Sequence, residues 1–401
     1  MTSTFHPAPY TDPRRKLVLS FDVGAKTSGI SYSVLDPGQV PQIKGVTRFP
    51  AHEQISGASR IPTVIYYDKA GKVRAVGAEA MREGIDETAE EEDLIDCSIT
   101  RFTLHIRPKS GSSSLVTSNI PPLPPGKTVV QVLADFLQYL YQCAKIYIQD
   151  THANGQALWE HVVSEADHIF SHPNGWEGYQ QSRIRDAVVL AGIIPNTADG
   201  HSRVSFVTDG EASLHFAIDN GLPASAVQAG DGVVVVEAGE GTIDISAYSK
   251  MLDTNTTVTT FEEIAAPQCH FHGSVFVSVH ARLFLEDHLR ESDFLEDLDH
   301  IVRCFDRKIK FHFIDDKQPQ YIKFGGSRDN DAGCNIRSGM LKLAGWEPTN
   351  GSLAMAMTDW FARTDVATFF EPSVKCIVDS VQTQIKNGHQ PIKVHLAAYG
   401  Q

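Results

Sequence analysis

Two short glycine-containing segments carry the residue types that phosphate chemistry needs. One is Glu237-Ala-Gly-Glu-Gly-Thr242, which lies between the apolar runs Val233–Val236 and Ile243–Ile245. β-Branched runs on both sides of a glycine-rich turn predict a buried strand–turn–strand. Such a turn can direct backbone N–H groups at phosphate oxygens, while an acidic residue faces a hydrated cation. Taken alone, the pattern also predicts an ordinary β-hairpin that binds nothing.

A second copy of this pattern lies near the start of the chain. The apolar run Leu17–Phe21 precedes Asp22-Val-Gly-Ala-Lys-Thr27, and the apolar run Gly29–Val34 follows it. Both places consist of a strand, an acid-x-Gly turn and another strand. Two weakly similar phosphate-type hairpins favour a two-lobed protein that closes on a nucleotide.

Composition limits the class of protein. The chain has 401 residues, enough for two or three domains, and 49 acidic against 35 basic residues give a net charge of −14. This charge argues against nucleic acid or an anionic membrane as the main partner. No apolar run approaches the ~18 residues of a membrane-spanning helix. Six cysteines without C-x-x-C spacing indicate reduced thiols in the cytosol or nucleus, and of these we predict a cytoplasmic location.

Further patterns predict the elements that position the two turns. Helical periodicity and caps predict helices at Val129–Ala144, Glu177–Ala191, Val277–Leu289 and Leu295–Phe305. Short apolar runs predict strands at Val204–Val207, Ile309–Phe313, Tyr321–Phe324 and Lys393–Ala397. Pro125-Gly-Lys-Thr128 lacks the first glycine and the preceding strand of a P-loop, so we do not predict a P-loop there. Cys269, His270 and His272 lack a second pair at zinc spacing, so they predict a loop or the start of a strand and no zinc site.

Several segments, in this order along the chain, resemble the divergent family 12-like branch of heat-shock protein 70. Besides the two hairpins, they are Ile61-Pro-Thr-Val-Ile-Tyr-Tyr67, Ala75-Val-Gly-Ala-Glu-Ala80, Ser171-His-Pro-Asn-Gly-Trp176, Thr208-Asp-Gly-Glu-Ala-Ser213 and His270-Phe-His-Gly-Ser-Val-Phe-Val277. The resemblance implies an α/β, two-lobed, actin-like ATPase (ribonuclease H-like) fold with a central nucleotide cleft. It implies a tail at 1–15, lobe I at 16–193 and an incomplete lobe II at 194–401, with an unmatched insert at 346–364.

The resemblance also implies a site for ATP and Mg²⁺, with these assignments: Asp22, Glu211 and Glu237 for the metal, Glu211 and Asp244 for catalysis, and Gly24, Lys26, Thr27, Gly239, Gly241, Thr242 and Lys308 for the nucleotide. Three of these acids also have a structural interpretation. Asp22 suits a turn cap, Glu211 the first turn of a helix, and Asp244 the outer face of a strand.

The chain departs from the family pattern at several of these positions. Ala25 stands where relatives have a phosphate-contacting threonine, and Thr103 stands where they have a lysine. Glu240 replaces a loop glycine, and a carboxylate ~4 Å from a phosphate charge costs about 1 kcal/mol in water and about 4 at an effective dielectric of 20. Ala398-Tyr399 occupies the place of the adenosine-binding glycine pair. These changes predict weak or lost hydrolysis.

Three functions stay open from the sequence. The first is an ATP-binding, heat-shock-protein-70-like protein without a peptide-binding domain. The second is a degenerate pseudo-ATPase that acts as an interaction module, and the third is a small-molecule kinase of the same superfamily. Because the resemblance stops before lobe II is complete, we also expect a protein partner that covers this lobe, or self-association.

Overall fold

The computed structural model describes residues 8–52, 59–81, 99–107, 120–220, 222, 227–251, 260–315, 319–343 and 365–399. Three features of the sequence lie largely or wholly outside these ranges: the acidic run 86–93, the Pro/Ser-rich segment 110–127 as far as residue 119, and the insert 346–364. None of the helices in the described ranges combines the length and apolarity needed to span a bilayer.

The strands are β1 Lys16–Val23, β2 Thr27–Leu35, β3 Lys44–Gly45, β4 Ile61–Pro62, β5 Val64–Tyr67, β6 Val73–Val76, β7 Ile99–Thr100, β8 Asp167–His172, β9 Val204–Thr208, β10 Gly232–Ala238, β11 Ile243–Met251, β12 Thr260–His270, β13 Gln320–Lys323, β14 Ile336–Arg337, β15 Met340–Leu343 and β16 Ile392–Tyr399. The α-helices are α1 Val129–Thr151, α2 Gly155–Val162, α3 Tyr179–Leu190, α4 Ala198–Ser202, α5 Asp209–Asp219, α6 Ser274–His288, α7 Leu298–Cys304 and α8 Asp365–Asn387. Short 3₁₀ helices lie at Gly77–Met81, Phe102–Ile106, Val163–Glu165 and Asp293–Asp297, and a π-helical turn lies at Phe305–Ile309.

The first sheet is built on the N-terminal hairpin and has the strand order β3-β2-β1-β8-β9, with β4 also paired to β2. β1 is antiparallel to β2 and parallel to β8, and β8 is parallel to β9. The register pairs Phe21 with Phe170. Because parallel strands end at the same edge of a sheet, the residues that follow β1, β8 and β9 are brought together there.

The second sheet repeats this arrangement around the second hairpin. Its order is β12-β11-β10-β16, and β10 is parallel to β16. The turn of residues 239–242 between β10 and β11 is too short for the crossover that parallel neighbours require. In both sheets the acid-bearing strand therefore lies between its hairpin partner and a parallel strand. These sheets and their helices confirm the α/β class that the resemblance implies.

The capping of α1 explains why Pro125-Gly-Lys-Thr128 is not a phosphate loop. Thr128 and Gln131 form a capping box at the N-terminus of α1. Lys127 donates from Nζ to a carboxylate oxygen of Asp135 at 2.6 Å and lies 4.3 Å from the centre of the Tyr67 ring. The lysine is therefore used in packing α1 against β5.

The chain divides into two compact units. The first contains residues up to Glu240, Asp244–Cys269 and the chain from Thr383 onward, and it holds both large sheets. The second contains Gly241–Ile243 and His270–Gln382, with α6, α7 and the small sheet β13-β15-β14. The lobe boundary predicted at 193/194 stays a prediction.

The strand predicted at Ile309–Phe313 is wrong. The structure has a π-helical turn at Phe305–Ile309 that continues α7. Ile-x-Phe-x-Phe has the period of a strand, but Phe305 and Ile309 are both buried, four residues apart, in the core of the second unit. Phe311 is exposed, so the alternation does not correspond to a buried sheet face. The other helices and strands predicted from the sequence are confirmed, with ends shifted by a few residues.

The central position of β1 gives a prediction for stability. Leu19 is 0% exposed in the main core, whereas Leu190 at the end of α3 is 58% exposed. We expect Leu19→Ala to lower the free energy of unfolding by about 2–5 kcal/mol through lost burial and a cavity. The same change at Leu190 should stay within about 0.5 kcal/mol. Urea denaturation of both variants measures this, and equal losses would contradict the assigned core.

Candidate functional site

Four carboxylates from separate elements of the first unit converge. They belong to Asp22 near the end of β1, Asp209 at the start of α5, Glu237 near the end of β10 and Asp244 in β11. Asp22 and Asp244 raise the pKa of both Asp209 and Glu237 through charge repulsion. The structure thus brings the acids of the two predicted hairpins into one cluster, which we call the acidic cluster.

Asp209 and Glu237 are the members of the cluster whose pKa values are raised. Burial is the largest cause of the raised pKa of Asp209, followed by the charges of Glu237 and Asp22. Burial also raises the pKa of Glu237, with the charges of Asp244 and Asp22, to about 7. Hydrogen bonds to Ser171 and Ser213 oppose these shifts. Burial and repulsion therefore outweigh the hydrogen bonds and the positive charge that the protein supplies to these two carboxyls.

Arg60 is the cation of this cluster, and sequence reasoning missed it. Its Nη1 donates to Asp22 Oδ2 at 2.5 Å, its Nε to Thr27 Oγ1 at 3.0 Å and its Nη2 to the Thr27 carbonyl at 3.1 Å. One guanidinium thus joins both ends of the first turn, and its charge also lowers the pKa of Glu237. Its position directly before the quoted Ile61-Pro-Thr63 motif is the signal that could have identified it.

The segment Pro173-Asn-Gly-Trp176, which follows β8, holds the Asp244 carboxylate in place. Asp244 is 3% exposed and accepts a 2.7 Å hydrogen bond from the backbone N–H of Asn174. The Asn174 side chain donates to Ser246 Oγ and to the Gln268 carbonyl, both at 3.1 Å. The interpretation of Asp244 as an outward-facing acid is therefore wrong, because β11 is buried on both faces along most of its length. Asn174 links β8 to β11 and β12 and positions Asp244.

Glu211 has a different environment. It is the third residue of α5, its backbone N–H donates to the capping Thr208 Oγ1 at 3.2 Å, and its side chain is exposed. Its charge raises the pKa of Glu263. The acid of this motif whose pKa is raised by the charge of Glu237 is Asp209, two residues earlier. The catalytic and metal-binding roles of Glu211 stay predictions.

The first turn is compact and held by backbone contacts. A Cβ on Gly24 would lie 2.7 Å from the Thr27 carbonyl oxygen, so only glycine fits without a shift. Lys26 has an exposed side chain, and its carbonyl accepts a 2.7 Å hydrogen bond from the N–H of Thr63. The Thr27 hydroxyl is the acceptor of the Arg60 contact described above.

The second turn contains the other predicted phosphate contacts. Gly239 is half-buried in the first unit. Gly241, which is buried, and Thr242, which is half-buried, belong to the second unit. Lys308 also belongs to the second unit, where it has an exposed side chain in the turn that follows α7. Their contact with a nucleotide stays a prediction.

Glu240, the residue expected to repel phosphate, is paired in the structure. Its Oε1 lies 3.4 Å from both Nε and Nη2 of Arg101, a residue that precedes the 3₁₀ helix Phe102–Ile106. The repulsion expected from Glu240 is thus offset by a positive charge that the sequence analysis did not consider.

Comparison with known proteins gives structural matches and no sequence match. No family model matches the chain, and no curated protein matches it. The crystal structure of MreB5 of Spiroplasma citri bound to ADP aligns with 93% of this chain and 79% of its own, at 12% identity and a TM-score of 0.48.

The raised pKa of Glu237 predicts a pH dependence of stability. The folded carboxyl has a pKa of about 7 against an ordinary 4.5, so the native state keeps a proton that the unfolded state releases. Stability should therefore fall as pH rises from 4.5 to about 7. Glu237→Gln should reduce this fall, with the contribution of Asp209 remaining, and raise the free energy of unfolding at pH 8 by roughly 1–2 kcal/mol, since water screens part of the repulsion.

The measurement is urea denaturation at pH 4.5, 6 and 8 in buffer with a chelator. Glu160→Gln is the matched control, because Glu160 is an exposed glutamate of α2. A Glu237→Gln variant with the pH profile of the wild type would show that this carboxyl is not the group responsible.

Proposed function

We propose that this protein binds ATP together with Mg²⁺ at the two hairpin turns, in the manner of actin-like ATPases. The observation that carries the proposal is the convergence of Asp22 and Glu237 in one acidic cluster. Each is the acid of a strand–turn–strand with glycines, and each strand occupies the same place in its sheet. Paired turns with N–H groups and glycines supply donors for phosphate, and the cluster supplies charge for a cation.

The residues present fit a hydrated Mg²⁺. Within the described ranges, no three His, Cys, Asp or Glu side chains are grouped closely enough to ligate one metal ion directly. Mg²⁺ keeps several of its waters in proteins, so carboxylates can hold it through them. Asp22, Asp209, Glu237 and Asp244 would hold it, and their mutual repulsion is the charge that a divalent cation offsets. When bound, Mg²⁺ neutralises phosphate charge and orients an attacking water.

We propose that hydrolysis is weak. Ala25 supplies no hydroxyl at a position where the relatives that the sequence resembles have a phosphate-contacting threonine. Glu237 stands where the relatives that the sequence resembles have an aspartate, and its longer side chain changes the position of the carboxylate toward a hydrated cation. Asp244, held by Asn174, is the acid that we propose for orienting the reacting water, with Glu211 as the second candidate. The changes at positions 25 and 237 would reduce turnover without preventing nucleotide binding.

The sequence motifs support a proposal about the branch of the superfamily. We propose a heat-shock-protein-70-like protein of the family 12-like branch, with chaperone-like character and a protein partner. A cytoplasmic location is part of the same proposal. It is supported by the free thiols of Cys143, Cys304, Cys334 and Cys376.

The two ends of α5 provide a matched test of the cation site. Asp209 belongs to the acidic cluster, and Asp219 is an exposed aspartate at the other end of the same helix. We expect Asp209→Asn to weaken binding of Mg-ATP by at least about tenfold, while binding of ATP in a chelator changes little. The same variant should be more stable than the wild type at pH 8, because it removes a repelled charge. Asp219→Asn should change neither property.

Isothermal titration calorimetry with ATP, with and without Mg²⁺, measures binding, and urea denaturation measures stability. Absence of ATP binding by the wild type would overturn the proposed function and favour an interaction module. Formation of ADP and a phosphorylated product, without free phosphate and only when a small-molecule alcohol is added, would favour the kinase. Equal losses for Asp209→Asn with and without Mg²⁺ would mean that Asp209 does not serve a cation.

A further inference from the structure

We propose that Arg101 is a phosphate-binding residue of the second turn, and that Glu240 holds its guanidinium in place when no nucleotide is bound. This inference rests on the proposed nucleotide site. It assigns a role to a residue that the motifs do not include, and it gives Glu240 a function other than repelling the ligand.

The geometry of the pair leaves the guanidinium available. Nε and Nη2 of Arg101 share one oxygen, Oε1 of Glu240, at 3.4 Å each, which is long for charge-assisted hydrogen bonds. The side chains of Arg101 and Glu240 are 29% and 14% exposed. Oε2 of Glu240 is buried, and no donor in the described ranges bonds to it. A contact of this kind differs from the two parallel bonds of a fixed structural arginine–carboxylate pair, and it leaves guanidinium N–H groups free to bind an anion.

The backbone fixes where the arginine side chain begins. Arg101 has a φ of 57°, in the left-handed region that residues other than glycine rarely adopt. It precedes the 3₁₀ helix Phe102–Ile106, in which Phe102, Leu104 and Ile106 are buried. Burial of this helix holds Arg101 in its conformation. A side chain that starts from such an anchor and reaches the second turn is preorganised for a ligand at that turn.

Exchange of Glu240 for phosphate depends on which anion binds the Arg101 guanidinium more strongly. Glu240 would become a buried carboxylate without its cation, so the ligand must bind the guanidinium better than the two 3.4 Å contacts to Oε1 do. A polyphosphate offers several oxygens to one guanidinium in bidentate geometry, whereas Glu240 offers one. We therefore expect Arg101 to turn from Glu240 to the phosphate when a nucleotide binds.

A purely structural pair predicts a different result for the double variant. If Arg101 only neutralises Glu240, then Arg101→Ala weakens ATP binding and removal of Glu240 as well restores it. If Arg101 binds phosphate, the double variant stays weak, because the ligand contact is lost whether or not Glu240 is present. A double-mutant cycle distinguishes the two roles.

The experiment measures Mg-ATP affinity by calorimetry for the wild type, Arg101→Ala, Glu240→Ala and the double variant. We expect Arg101→Ala to bind at least about tenfold more weakly than the wild type, and the double variant at least about tenfold more weakly than Glu240→Ala. Glu240→Ala itself should bind as tightly as the wild type or more tightly. Arg48→Ala is the control, because Arg48 forms an exposed ion pair with Asp150 and should leave affinity unchanged.

Equal affinities of the double variant and Glu240→Ala would overturn the inference and leave the proposed function intact. A wild type without affinity for ATP would overturn both. If Arg101→Ala does not fold, the comparison of Glu240→Ala with the double variant carries the test, since neither contains an unpaired buried carboxylate at position 240. Arg101→Lys should lose part of the affinity for Mg-ATP, because an ammonium group keeps the positive charge but lacks the planar pair of N–H donors of a guanidinium.

Discussion

Repulsion among carboxylates that the fold holds together is the constraint on which the candidate site depends. Asp209 and Glu237 both have raised pKa values, and each is affected by Asp22 and Asp244. A chain selected for stability alone would not place these acids together, because each loses hydration and faces like charge. Such groupings of perturbed acids are characteristic of functional sites. The stability lost here is what makes the site attractive to a cation.

The positive groups around the cluster are fixed by the fold and have separate tasks. Arg60 binds Asp22 and both polar groups of Thr27, so it shapes the first turn while it offsets one charge. Arg101 serves the second turn through Glu240. Asn174 carries no charge, but its backbone N–H satisfies Asp244, which is otherwise buried in β11. Each turn thus has its own guanidinium.

The two sheets explain how segments so far apart in the sequence form one site. In each sheet the acid-bearing strand pairs with its hairpin partner on one side and with a parallel strand on the other. This order places the acid at the carboxyl end of a strand that is central in its sheet, where α/β proteins bind ligands. Ala25 and Glu240 therefore change the chemistry of the turns and leave their placement intact.

The sequence by itself determined the elements and the turns. β-Branched runs next to acid-x-Gly turns identified both hairpins, and the apolar periodicity identified α1 and α3, because these signals are local and depend on neighbours a few residues away. It failed at Ile309–Phe313, where burial four residues after Phe305 outweighed the alternating pattern. Only the tertiary structure decided the partners: Arg60 for Asp22, Arg101 for Glu240, and Asp209 in place of Glu211 in the acidic cluster. Charge pairing and desolvation act through space between residues far apart in the chain, and no local pattern records which side chains will meet.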